Sequence, residues 1–111
     1  MVDRPDKVRI NSDDYSIIYE GTAWKVSTGL AAQIDYENFV IRVFDTGPGT
    51  AIAARLMHEV MHGIIEFQGN SDKMDMVSLE DCCNMSSHGM IDFFRSNPEV
   101  LKWWIEQIAG Y

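Results

Sequence analysis

Cysteine is nearly absent from this chain. The only two, Cys82 and Cys83, are adjacent, and neighbouring cysteines cannot staple distant segments together. The fold therefore does not depend on a disulfide, and a reducing compartment suits it. Basic residues are also scarce: nine Lys and Arg stand against seventeen Asp and Glu, a formal charge of -8. That field repels phosphate backbones, and no basic stripe with interleaved aromatics offsets it. Nucleic acid is accordingly excluded as a direct partner. Long apolar runs are missing too. Met1-Val2-Asp3-Arg4-Pro5-Asp6-Lys7 contains no apolar signal segment, and no stretch approaches the roughly 18 apolar residues of a membrane span. The expected setting is the cytoplasm, with no membrane partner. Internal repeats and low-complexity tracts are likewise lacking.

What remains is a chain of 111 residues, 46% hydrophobic and 11% aromatic. That length suits one domain over 1–111 with a single core, and the aromatic share argues against disorder. Residues 1–7 are polar and are expected to fray. Val8-Arg9-Ile10 reads as a short strand, Asn11-Ser12-Asp13-Asp14 as a turn and Tyr15 to Glu20 as a second strand. Gly21 to Gly29 has no clean period. Alternation returns at Leu30 to Tyr36 and at Phe39 to Phe44, with Glu37-Asn38 as the turn, since asparagine tolerates a positive φ. Asp45 to Thr50 breaks the sheet, and Thr50 is the expected cap of a helix from Ala51 to Gln68 that stops at Gly69.

After a polar loop, a second helix is expected from Ser78 to Arg95. Its buried stripe is Leu79, Cys83, Ser86, Met90 and Phe93 or Phe94. Asn97 as N-cap and Pro98 as first residue open a third helix, with Leu101, Trp104, Ile105 and Ile108 as its apolar edge. Strands first and helices afterwards predict an α+β fold. The tight connections between strands predict a small antiparallel sheet packed beside the first long helix, with two further helices following.

That first helix carries the sharpest signal, His58-Glu59-Val60-Met61-His62. At about 100° per residue the two histidines lie about 40° apart, one turn above the other. Arg55, Glu59 and Glu66 share their quarter of the wheel, while Leu56, Val60, Ile64 and Phe67 point away. Two imidazoles so placed can share one Zn²⁺, with Glu59 beside the metal's water as general base. Without a metal, the same pattern is two histidines on a helix surface.

A catalytic zinc usually takes three protein ligands. Glu80 ranks first as the third, because it falls about 80° from the centre of the second helix's apolar stripe, on the edge facing the first helix. Asp81, His88, Cys82 or Cys83 stay open, as does the absence of any third ligand. The competing explanation for Glu80 is an acid favoured at a helix N-terminus.

The hairpin Ala32-Gln33-Ile34-Asp35-Tyr36 with Val40-Ile41-Arg42-Val43, the segment Leu56 to His62, then Glu80-Asp81 and Asn97-Pro98 together resemble the ImmA/IrrE-like metallopeptidases. The likeness is to the short versions encoded by phages and prophages, and it covers roughly two-thirds of the chain. It implies a compact, minimal zincin-like fold, zinc ligands at His58 and His62, a general base at Glu59 and a glutamate ligand from the following helix. Characterised members are associated with cleavage of phage or stress-response repressors, so the resemblance implies a zinc-dependent endopeptidase acting on a protein or peptide.

His88, Arg55 and Tyr36 are the candidate oxyanion donors, and Glu66 or Asp35 would orient the imidazoles. An exposed edge of the hairpin would hold an extended peptide. The alternatives are a non-catalytic protein that keeps zinc structurally and a phage assembly protein whose motif is incidental. The oligomeric state is left open.

Overall fold

The computed structural model describes residues 3–67 and 79–109, with side chains for all of these except 67 and 79–87. The elements run β1 (Lys7–Ile10), β2 (Asp13–Glu20), α1 (Thr22–Thr28), β3 (Ala32–Asp35), β4 (Val40–Phe44), α2 (Gly49–Phe67), α3 (Leu79–Ser96) and α4 (Pro98–Ala109). The fold is α+β, as expected. The sheet, however, is mixed rather than antiparallel. Its order is β1-β2-β4-β3; β1/β2 and β3/β4 are antiparallel, and β2 and β4 run parallel with Ile17 opposite Ile41.

The parallel pairing follows from α1, which carries the chain out so that β3 lands on the far edge and β4 returns between β3 and β2. This helix was not expected. It is less than two turns long, buries none of its residues and so has no apolar stripe to read. Its ending is orthodox: Gly29 takes φ 71° and donates its N–H to the Lys25 carbonyl.

Strand alternation builds the core. Val8, Ile10, Tyr15, Ile17, Ile41 and Val43 are buried because every second residue of a strand faces the same way. Against them lie Ile52, Ala53, Leu56, Val60 and Ile64 of α2, Phe93 of α3, and Val100, Trp103 and Trp104 of α4. The buried face of α4 is rotated from the expected one, leaving Ile105 and Ile108 exposed. Phe93 stacks on Trp104, with ring centroids 5.7 Å apart, and Phe94 meets the same indole edge-on.

Three local expectations are corrected. Thr50 lies inside α2; the first helical amides, of Ala51 and Ile52, bond to the Pro48 carbonyl. The residue of positive φ in the β3–β4 turn is Phe39 (φ 56°), not Asn38. Asp35 supports that turn by accepting from the amides of Glu37 and Asn38 and from the Asn38 side chain. Arg4 and Pro5 do not fray: Arg4 pairs with Asp45 and lies over the Tyr19 ring, while the Tyr19 hydroxyl donates to the Pro5 carbonyl.

Candidate metal centre

Residues Leu56, Val60 and Ile64 bury one face of α2, which fixes the opposite face and the histidines on it. His58 and His62 are both exposed; their rings meet edge-on with centroids 4.8 Å apart, and their Nε2 atoms are 3.1 Å apart. Two nitrogens bound at about 2.05 Å to one tetrahedral ion would sit about 3.3 Å apart. The observed spacing fits that geometry. Glu59 completes a group of three whose ligand atoms lie within 4.8 Å of one another.

Glu59 departs from the surface character of its neighbours. It is only 7% exposed, and His58 Nε2 is 4.0 Å from its carboxylate. A carboxylate removed from water is costly unless a cation or hydrogen bonds compensate it. A divalent ion between the two imidazoles would provide that compensation, and the donor set suits a borderline metal such as zinc.

Beside this group is a groove of about 370 Å³ lined by Ala31, Ala32, Ala54, Arg55, His58 and Glu59. It borders the outer edge of β3. Because Phe44 N donates to the Ala31 carbonyl, Ala31, Gln33 and Asp35 make the ladder bonds to β4. Ala32 and Ile34 therefore turn their N–H and C=O groups outward. The other sheet edge is closed at its centre. Arg9, whose backbone faces outward from β1, donates its N–H to Asn97 Oδ1 and accepts from Asn97 Nδ2, which also donates to the Phe93 carbonyl. Asn97 thus acts as a one-residue strand mimic. Its side chain does not cap α4 as expected, although its carbonyl accepts from Val100 and Leu101.

The remaining sequence candidates separate. Arg55 reaches the groove but donates to the Phe44 and Thr46 carbonyls, pinning the approach to α2. It forms no ion pair with Glu59 or Glu66 among the described residues. Asp35 is committed to its turn, and those hydrogen bonds, first the one from the Asn38 side chain, hold its carboxyl below the usual range. It does not orient an imidazole. His88 is exposed on α3 and is not in the group of three. Glu80, Asp81, Cys82 and Cys83 belong to α3, and their side chains lie outside the described residues.

Tyr36 lies beside a different hollow, with Glu66 and Gly63. Burial first, then the negative charge of Glu66, pushes its hydroxyl up to about 12, so it remains a protonated donor.

Among the described residues, no helix is long and apolar enough to cross a membrane. No protein-family model, curated protein or solved structure matches the chain.

Proposed function

We propose that this protein is a zinc-dependent endopeptidase of the ImmA/IrrE-like kind, cutting an extended segment of a protein substrate. The observation that carries this reading is the buried Glu59 carboxylate beside two Nε2 atoms 3.1 Å apart, lining a groove at the outer edge of β3, which pairs with no further strand among the described residues. His58 and His62 would hold the ion, and Glu80, in the first turn of α3, would supply the third ligand. The chemistry supplied by zinc at that position, when bound, is polarisation of the scissile carbonyl and a lowered pKa for the attacking water.

The protein's own groups do the rest. Glu59 accepts the water's proton on a carboxylate oxygen and delivers it to the departing amide nitrogen. The outward N–H and C=O groups of Ala32 and Ile34 pair with an extended peptide and align its carbonyl over the groove. Because ladder bonds read backbone rather than sequence, flexible segments are better substrates than folded domains. A phage or stress-response regulator is the substrate class the resemblance favours.

The test is a mixed peptide library incubated with wild type and Glu59→Gln, with cleavage read by mass spectrometry. The amide has the carboxylate's shape but cannot take the proton, so cleavage by wild type alone is expected, with zinc retained in both. Equal cleavage by both proteins would remove Glu59 from the reaction. Cleavage by neither favours a metal-binding protein without turnover.

A further inference from the structure

The hollow beside Tyr36 has no part in the chemistry just described, yet its lining is specific. It measures about 190 Å³ and is bounded by Tyr15, Tyr36 and Phe39, with Ile10 and Gly63 behind and Asp13 and Glu66 at its rim. Small-molecule sites usually run to roughly 300–1,000 Å³. This one is sized for a single side chain.

Three features separate it from ordinary core packing. Tyr36 and Phe39 stay 38% and 40% exposed, although rings recruited only to fill a core would be covered. Phe39 has φ 56°, an unfavourable region for a bulky residue, and in that conformation its ring meets Tyr15 edge-on at 5.4 Å. Among the described residues, the two charged side chains that line it, Asp13 and Glu66, are both acids. Tyr15 and Tyr36 register the same field: burial comes first, and the charges of Asp13 and Glu66 on the one, and of Glu66 and Glu59 on the other, add to it. Aromatic faces combined with carboxylates attract cations, by the ring quadrupole and by Coulomb attraction together.

We infer that this hollow is a subsite for a basic side chain, lysine or arginine, of the peptide lying along β3. The position follows from the strand. Ala32 borders the groove with His58, and Tyr36 borders the hollow. Four residues of strand span about 13 Å, so the basic residue lies roughly four positions from the cut bond. The long apolar stem of lysine or arginine would lie against the rings, with its charged head at Asp13 and Glu66. The overall charge of -8 favours the approach of such a segment.

The assignment to a substrate rests on the endopeptidase reading, but occupancy of the hollow does not, and the two are measured apart. In the first arm, Nα-acetyl-lysine methylamide and its neutral norleucine counterpart are titrated into the whole protein, with the ring resonances of Tyr15, Tyr36 and Phe39 followed by NMR. Saturable shifts with the lysine compound only are expected. Asp13→Asn and Phe39→Leu should each weaken binding about three- to tenfold, with the rest of the spectrum unchanged as the check on folding. Equal binding of norleucine, or no saturable shift of these rings, overturns the subsite.

In the second arm, the cleavage library should be enriched in Lys or Arg roughly four positions from the cut, and the enrichment should vanish in Asp13→Asn. Lysine binding without any cleavage sinks the peptidase reading and keeps the cation site. Cleavage without basic preference overturns the substrate assignment while the peptidase reading stands.

Discussion

At Gly63 the helix that carries both histidines lies close against side chains of the sheet. A Cβ there would lie 2.7 Å from Ile10 Cδ1 and 3.2 Å from Ile34 Cδ1. Gly63→Ala gains about 1 kcal/mol of helix propensity, but overpacking a tight interface costs about 1–3 kcal/mol. A net loss of about 1 kcal/mol is expected, read as a lower urea midpoint at unchanged slope. Adding Ile10→Val removes the closest methyl and should recover part of the loss. Simple addition of the two single penalties would show that the contact is not the cause. The site itself was legible at this scale because His58, Glu59 and His62 are neighbours in sequence and helical periodicity brings them together. The burial of Glu59 was not legible. It depends on the surrounding tertiary packing, which no single helix wheel encodes.

Tyr36 and Tyr15 set an alkaline limit at the same scale. Both hydroxyls titrate above the ordinary value of 10.0 in the folded protein, Tyr36 at about 12. Below pH 10 they are protonated in both states and stability is fully present. As pH rises from 10 towards 12 the unfolded chain releases these protons first, so the fold loses stability across that window. Denaturant midpoints should fall over it, and Tyr36→Phe should make the fall shallower. An unchanged slope in that variant would refute the assignment.

At the level of elements, the two sheet edges differ among the described residues, and Asn97 is the reason. Its side chain makes three hydrogen bonds, two to Arg9 of β1 and one to Phe93 of α3. Asn97→Ala strands those backbone groups and should cost about 2–4 kcal/mol. It should also leave the β1 edge open to pairing with another copy. Concentration-dependent sedimentation would detect such pairing; a variant that sediments as wild type does and is equally stable would deny the edge-closing role. Reading Asn97 as an N-cap was sound local reasoning, since Asn97 does precede α4 and Pro98 opens it. The residue's carboxamide instead answers a demand 88 positions away, which local sequence cannot express. The same limit hid the parallel β2/β4 pairing: alternation is identical in parallel and antiparallel strands, and α1 lacks the apolar stripe that would have announced a crossover. Gly29, a left-handed helix stop, was its one visible trace. Helix α2 was readable because its 19 residues sustain a single apolar face.

For the whole molecule, the metal proposal becomes a statement about stability. An ion held by the native protein alone stabilises it by about 2.7 kcal/mol at a free concentration one hundred times its Kd. Both histidines lie on α2, so on their own they would tie no second element into the site. A ligand from α3 would, and the two helices already pack together. Zinc should therefore raise the melting temperature of wild type, and chelation should lower it. His58→Ala with His62→Ala should bind no zinc and melt at the chelated temperature. Glu80→Gln should retain weakened binding and a smaller thermal gain. Asp81→Asn is expected to match wild type, because helical periodicity in the sequence puts position 81 nearly opposite the predicted apolar stripe. Competitive chelator titration of these proteins, beside thermal melts with and without zinc, ranks the ligands independently of any cleavage assay. If Glu80→Gln and wild type hold zinc equally and gain equally in melting temperature, α3 does not close the site through Glu80, and the third ligand must be sought elsewhere.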